Sequence, residues 1–357
     1  MQQIISFPHL GDYYIPISEF LKRTTNATIK PSPPITKKTI SLGEKYSPDS
    51  VCLPFKYNLG NFIESLEKNK ANILFTAGGG CRYRYYAEVT ETILRDLGYN
   101  FKYYSLVTKG KIKLKDIYKK LKEINPNLKV KNYIHTGIYT ILFIWYMDKI
   151  DKIIRKNIGF EKNKNTNINL KRKMLNDFKN TKSIIKLTIL YKKYKKLFNK
   201  IPKDKPKNCL KIAIIGELYT AMEPFSSYFL ETELAKMNVE IKRYTNLSYL
   251  LWQKKIQTKY LLWKSKKYCK YTLGADGLDN VYRTLDSINK KYDGIIHTKP
   301  FACTPEVGAI PIIQKICKEH EMPIIFLSYD TETSNEGIKT RLEAFYDLLD
   351  IRRKKND

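Results

Sequence analysis

Short apolar runs and amphipathic stretches follow one another along this chain, and their order predicts its elements. Gln3-Ile4-Ile5-Ser6-Phe7 reads as a short strand, Pro8 to Gly11 as a loop, and Pro16 to Lys22 as a helix, before Pro31-Ser32-Pro33-Pro34 breaks the chain. Asn72 to Thr76 is a continuous apolar run of the kind buried on both faces of a parallel sheet. Gly78-Gly79-Gly80 ends it, and the next helix carries Val89, Ile93, Leu94 and Leu97 on one face, with Gly98 as its stop. Phe101 to Val107 reads as the following strand. From Lys109 to about Lys200 the period is helical, glycine is nearly absent, and Lys203 to Lys207 looks like a linker.

The strand–helix rhythm then resumes. Strands are expected at Leu210 to Ile215, Val239 to Tyr244, Gly294 to Thr298 and Pro323 to Leu327. Helices are expected at Phe229 to Met237, at the basic and aromatic stretch Tyr249 to Tyr271, and at about Gly337 to Ile351. The pattern predicts an α/β fold of two flavodoxin-like, doubly wound parallel-sheet domains with a helical, Lys-rich lobe between them. The expected boundaries are residues 1–108 for a domain carrying Cys52 and Cys81, 109–207 for the basic lobe, and 208–357 for a domain carrying Cys303.

Composition sharpens this in one place. The 357 residues, 43% hydrophobic, suffice for two or three domains. The net charge is +30, and 29 Lys/Arg against 7 Asp/Glu between Lys109 and Lys207 supply +22 of it. Most are Lys among many Ile and Asn, a bias that an AT-rich coding sequence produces without selection for binding, and no nucleic-acid module accompanies it. Six cysteines in this length form no dense disulfide framework. Met1-Gln2-Gln3-Ile4 lacks the features of a signal peptide, and the longest apolar run, Ile138 to Met147, is far shorter than the roughly 20 residues of a membrane span. The reading is of a reduced, soluble, cytoplasmic protein with no membrane partner.

Candidate chemistry falls on three cysteines. Functional groups in open parallel sheets gather at the C-terminal ends of strands. Cys81 follows the Asn72–Thr76 strand and three glycines, Cys303 follows Gly294–Thr298, and Cys52 precedes Pro54, which suits a first helical turn. Thiolates near helix N-termini are favoured by free N–H groups, which can also bond cluster sulfurs. Cys209, Cys269 and Cys317 read as small buried core residues. The Gly78–Arg82 run has neither a Walker A ending nor GxGxxG spacing. The four His residues are scattered, and His297 reads as a strand residue. Spacing alone leaves iron–sulfur and an open zinc site as alternatives.

Five runs carry a resemblance: Ser50 to Gly60, Ala77 to Arg82, Gly216-Glu217 with Glu223-Pro224-Phe225, Lys299 to Glu306, and Thr340 to Phe345. Through them the chain resembles the 2-hydroxyacyl-CoA dehydratase and benzoyl-CoA reductase superfamily, in its acyl-CoA dehydratase activase-related branch. The resemblance implies a [4Fe–4S] cluster with one open iron, held by Cys52, Cys81 and Cys303, in a cleft between the two α/β domains. A double-cubane cluster would take all six cysteines, three of which lie in the wrong contexts. It further implies an ATP-hydrolysing iron–sulfur activator protein that delivers a low-potential electron, a homologous second subunit, and an acyl-CoA or other small-molecule substrate that becomes a ketyl radical. Lys56, Arg82 and Glu306 lie near the three cysteines in sequence and are candidates for supporting them. Ala302 departs from the glycine common in the family at that position. A non-catalytic electron carrier, and a basic nucleic-acid-binding protein motivated only by the lysine-rich stretch, are the competing readings.

Overall fold

The computed structural model describes residues 2–106 and 113–356. The chain divides into two compact units, Met1–Leu142 and Phe143–Asp357. The expected boundary at 108/109 and the Val107 end of the expected strand lie outside the described residues.

The first unit runs β1 (Ile4–Ser6), α1 (Tyr14–Thr25), β2 (Thr28–Ile29), α2 (Lys37–Tyr46), α3 (Leu53–Glu67), β3 (Ile73–Thr76), α4 (Tyr86–Asp96), β4 (Lys102–Ser105), α5 (Leu114–Ile124) and the start of α6 (Val130–Asn157). Its four strands are parallel in the order β2-β1-β3-β4. Side chains alternate across each strand, so β3 feeds two cores. Leu74 packs with Phe55, Leu59, Phe62 and Leu94 of α3 and α4, while Ile73 and Phe75 pack with Leu21, Ile117 and Leu121 of α1 and α5. Helices on both faces make the unit doubly wound.

Alpha helices α2 and α3 cross at two glycines. A Cβ on Gly43 would lie 1.8 Å from the Lys56 carbonyl oxygen, and one on Gly60 would lie 2.0 Å from that of Thr39. Only glycine at both positions lets the backbones approach this closely. The buried Glu64 carboxylate ties the same pair, accepting from Thr39 Oγ1 at 2.6 Å and Lys68 Nζ at 2.6 Å.

The second unit continues with α7 (Thr166–Asn180), α8 (Ile184–Lys200), β5 (Lys211–Gly216), α9 (Leu218–Met222), α10 (Leu230–Lys236), β6 (Glu240–Arg243), α11 (Lys254–Ser265), α12 (Gly277–Asn289), β7 (Gly294–Pro300), α13 (Thr304–Glu319), β8 (Ile324–Tyr329) and α14 (Asn335–Asn356). Its sheet repeats the first: parallel strands ordered β6-β5-β7-β8. One face, with Ala213, Ile215 and Ile295, is covered by Leu261 of α11, Val281 of α12 and Ile313 and Ile316 of α13. Gly294 lets Phe345 and Leu349 of α14 approach to 2.9 Å of where its Cβ would stand. In both sheets the strand order reverses direction beside the first strand, at β1/β3 and β5/β7, and such switch points leave a crevice beyond the carboxyl ends of the strands.

Candidate functional site

In the first unit the cysteines flank a tyrosine pair. Cys52 is buried and stands just before α3 in extended backbone, with Pro54 in the first turn. Its N–H donates to the Tyr86 hydroxyl at 3.4 Å, and its thiol lies 3.7 Å from the same oxygen. Cys81 follows β3 and Gly80, whose φ of +83° turns the chain, and precedes a short 3-10 turn, Arg82–Tyr85. The Tyr83 N–H donates to Cys81 Sγ at 3.4 Å. The Tyr83 and Tyr86 rings lie 4.9 Å apart, and Tyr83 is bonded to Asn58 of α3. The two cysteines thus share one aromatic neighbourhood at the end of β3. Burial first, and then the adjacent Cys52, push the Tyr86 phenol up, so it remains a neutral hydroxyl beside a sulfur.

Lys56 and Arg82 differ in setting. Lys56 Nζ pairs with Glu44 of α2 at 3.0 Å, across the glycine crossing. Arg82 opens the 3-10 turn and is exposed.

In the second unit Cys303 stands just before α13, buried, and follows Ala302, whose φ is +63°. Three residues on, Glu306 is fully buried in the first turn of α13. Its carboxylate accepts both Asn280 Nδ2 contacts, at 2.9 and 2.8 Å, and lies 2.7 Å from His297 Nε2. Asn280 Oδ1 in turn accepts the Gly216 N–H at 3.1 Å. One polar chain therefore fastens the turn that carries Cys303 to α12, β7 and the end of β5. Lys299, on the last part of β7, is 9% exposed and donates to Ser328 Oγ at 3.0 Å. Burial lowers its pKa, and the fields of Cys303 and Glu306 oppose that lowering.

Glu217 lies at the β5/β7 switch point. Gly216 precedes it with φ +131°, and a Cβ there would stand 1.9 Å from the Thr298 carbonyl oxygen. The Glu217 N–H is bonded to that carbonyl at 2.9 Å. Its carboxylate caps α9, accepting from the Tyr219 and Thr220 N–H groups and from Thr220 Oγ1 at 3.0, 2.8 and 2.8 Å. Those bonds favour the charged form, yet desolvation outweighs them, Asp276 adds repulsion, and the carboxyl is pushed up to about 7.

The sequence reading missed Glu217 as an ionisable group, and with it Asn280 and Lys299. The Gly216-Glu217 dipeptide at a strand end was the available signal for the first. Asn280 had none, because α12 itself went unseen. Among the described residues, no group of three or more His, Cys, Asp or Glu side chains is gathered as a metal site. Cys52 and Cys81 belong to the first unit and Cys303 to the second. Cys269 and Cys317 lie within the apolar core beside β7, and burial pushes the Cys317 thiol up to about 12. Cys209 is buried at the start of β5.

These features define a protein of two doubly wound parallel α/β units with cysteines at their strand-end turns. Residues 186–349 match the family described as 2-hydroxyglutaryl-CoA dehydratase, D-component. The matched stretch is just under half of the chain, runs from α8 into α14, and includes Cys303, Glu306 and Glu217. It supports the 2-hydroxyacyl-CoA dehydratase superfamily. No curated protein is found to match the chain. Among the described residues, no helix is long and apolar enough to cross a membrane.

Proposed function

We propose that this chain is an iron–sulfur redox component of the 2-hydroxyacyl-CoA dehydratase type, with Cys52, Cys81 and Cys303 as ligands of a [4Fe–4S] cluster. The observation that carries the reading is a shared backbone device. Each cysteine stands in extended backbone at the start of a helical turn, and a left-handed residue lies one or two positions before it: Ser50 (φ +63°), Gly80 (φ +83°) and Ala302 (φ +63°). The donor set is three thiols at helix-start turns, one of which, Cys81, accepts a backbone N–H from Tyr83, and it suits a soft iron–sulfur centre. When bound, such a cluster supplies one-electron chemistry at an iron that protein sulfur leaves open.

The chain's own residues then bind, hold and exclude. The Glu306–Asn280–His297 chain fixes the Cys303 turn, and the Tyr83–Tyr86 pair shields Cys52 and Cys81. Lys299 places a buried ammonium beside Cys303, where positive charge favours a thiolate. An ATP-hydrolysing activator as electron donor, a homologous second subunit and an acyl-CoA substrate belong to this same proposal, as does a cytoplasmic location. Anaerobic purification followed by iron, sulfide and zinc analysis tests it. A brown protein with about four irons and four sulfides per chain is expected; a colourless protein with stoichiometric zinc overturns it.

A further inference from the structure

Helix α11 presents a face that the redox reading does not use. Residues 249–272 hold seven lysines and no Asp or Glu. Leu261 and Ser265 are buried, and Lys254 reaches inward to Asp276 at 2.6 Å and Asp279 at 3.2 Å, so one side of the helix is anchored to α12. Away from that anchor Ile256 and Trp263 are 79% and 58% exposed, and Tyr260, 47% exposed, stands at the α12 edge with its ring 5.9 Å from that of Tyr282. Their spacing of four and three residues puts them on one stripe, about 10 Å long at 1.5 Å per residue. Lys259 and Lys266 lie along one edge of the stripe and Lys264 along the other, and all three are exposed. Lys264 Nζ stands 4.6 Å from the Trp263 ring centroid and 5.8 Å from that of Tyr260. Beside the C-terminal end of α11, Glu319 pairs with Lys267 at 3.1 Å.

We infer that this face of α11 seats on an anionic lipid surface, with Ile256, Tyr260 and Trp263 entering the headgroup layer and the flanking lysines meeting lipid phosphates. Charge complementarity is the first ground: lysines on both edges are drawn to a negative surface, and their long stems let the ammonium groups stay in the polar layer while the apolar side chains sink. The apolar composition is the second. Aromatic and aliphatic residues on one face with lysines around them form the interfacial pattern. A single-stranded nucleic acid would favour aromatic platforms with arginine, whereas Ile256 has no π-face for a base and the stretch contains no arginine. The inference reverses the sequence-based expectation of no membrane partner, and it stands independently of the redox proposal.

The test is sedimentation of the full chain with phosphatidylcholine vesicles, with and without phosphatidylglycerol, at low and high salt. Binding to the anionic vesicles alone is expected, weakened about tenfold or more as salt is raised. Ile256→Ser and Trp263→Ser should each weaken it several-fold. Neither changes charge, so loss in these variants separates seating of the stripe from adsorption through the +30 net charge. Lys259→Glu with Lys264→Glu should abolish it, and thermal melts by circular dichroism verify that every variant folds. Absence of binding, or binding unchanged by Ile256→Ser and Trp263→Ser, overturns the inference. So does displacement of the vesicles by a single-stranded oligonucleotide whose own binding is indifferent to Ile256→Ser.

Discussion

Ala302 occupies a left-handed backbone position that glycine would adopt without strain. A non-glycine residue there costs about 1–2 kcal/mol, part of which glycine gives back through unfolded-state entropy. Ala302→Gly is therefore expected to raise stability by about 1 kcal/mol in denaturant unfolding, although it leaves every hydrogen bond in place. The sequence marked this position through the glycine common there in the family it resembles, and the backbone angle explains why glycine suits it. Glu217 makes a second residue-scale prediction. The folded protein takes up its proton at about 7, while the unfolded chain takes it up near 4.5. Between those values the folded state holds the extra proton, so this group adds stability as pH falls and removes it as pH rises. Glu217→Gln keeps an acceptor for the α9 N–H groups and cannot ionise. Its stability relative to the parent should increase from pH 5 to pH 8, as read by unfolding at each pH; a constant difference would show that Glu217 does not titrate there.

At the scale of elements, strands were the most legible. Each predicted strand within the described residues is present, because apolar runs such as Asn72–Thr76 have no other place than a sheet buried on both faces. Helices α2 and α12 were not read from the sequence. Each begins or is crossed at glycine (Gly43 in α2, Gly277 at the start of α12), and glycine weakens the helical signal while tertiary packing supplies the stability. The α2–α3 crossing makes this testable. Gly60→Ala forces a methyl against the Thr39 carbonyl and should cost about 1–3 kcal/mol in chemical unfolding, despite alanine's better helix propensity. A stabilised variant would mean that the two helices separate freely. The second unit uses charge instead. Burial works against ionised Asp151 and Glu231, but Lys171, Arg155 and Arg243 outweigh it and hold both carboxyls below the usual range, fastening α6, α7, α10 and β6 together.

For the whole molecule, the repeated strand order was legible as a repeated strand–helix rhythm, and the strand-end positions of Cys81 and Cys303 followed from it. Behind Cys303, Glu306 was legible from its place three residues on, whereas Asn280, His297 and Lys299 were not, since they come to it only once β7, α12 and α13 are packed. The six cysteines fall into two settings: Cys52, Cys81 and Cys303 at strand-end or helix-start turns, and Cys209, Cys269 and Cys317 at the start of β5, beside α11 and within α13. That division makes the central claim testable by one measurement, the iron content of six single Cys→Ser variants purified anaerobically. Cys52→Ser, Cys81→Ser and Cys303→Ser are expected to lose most of the iron, while Cys209→Ser, Cys269→Ser and Cys317→Ser keep it at the parent's level. Iron retained in all of the first three, or lost equally in all six while the proteins remain folded, would contradict the assignment.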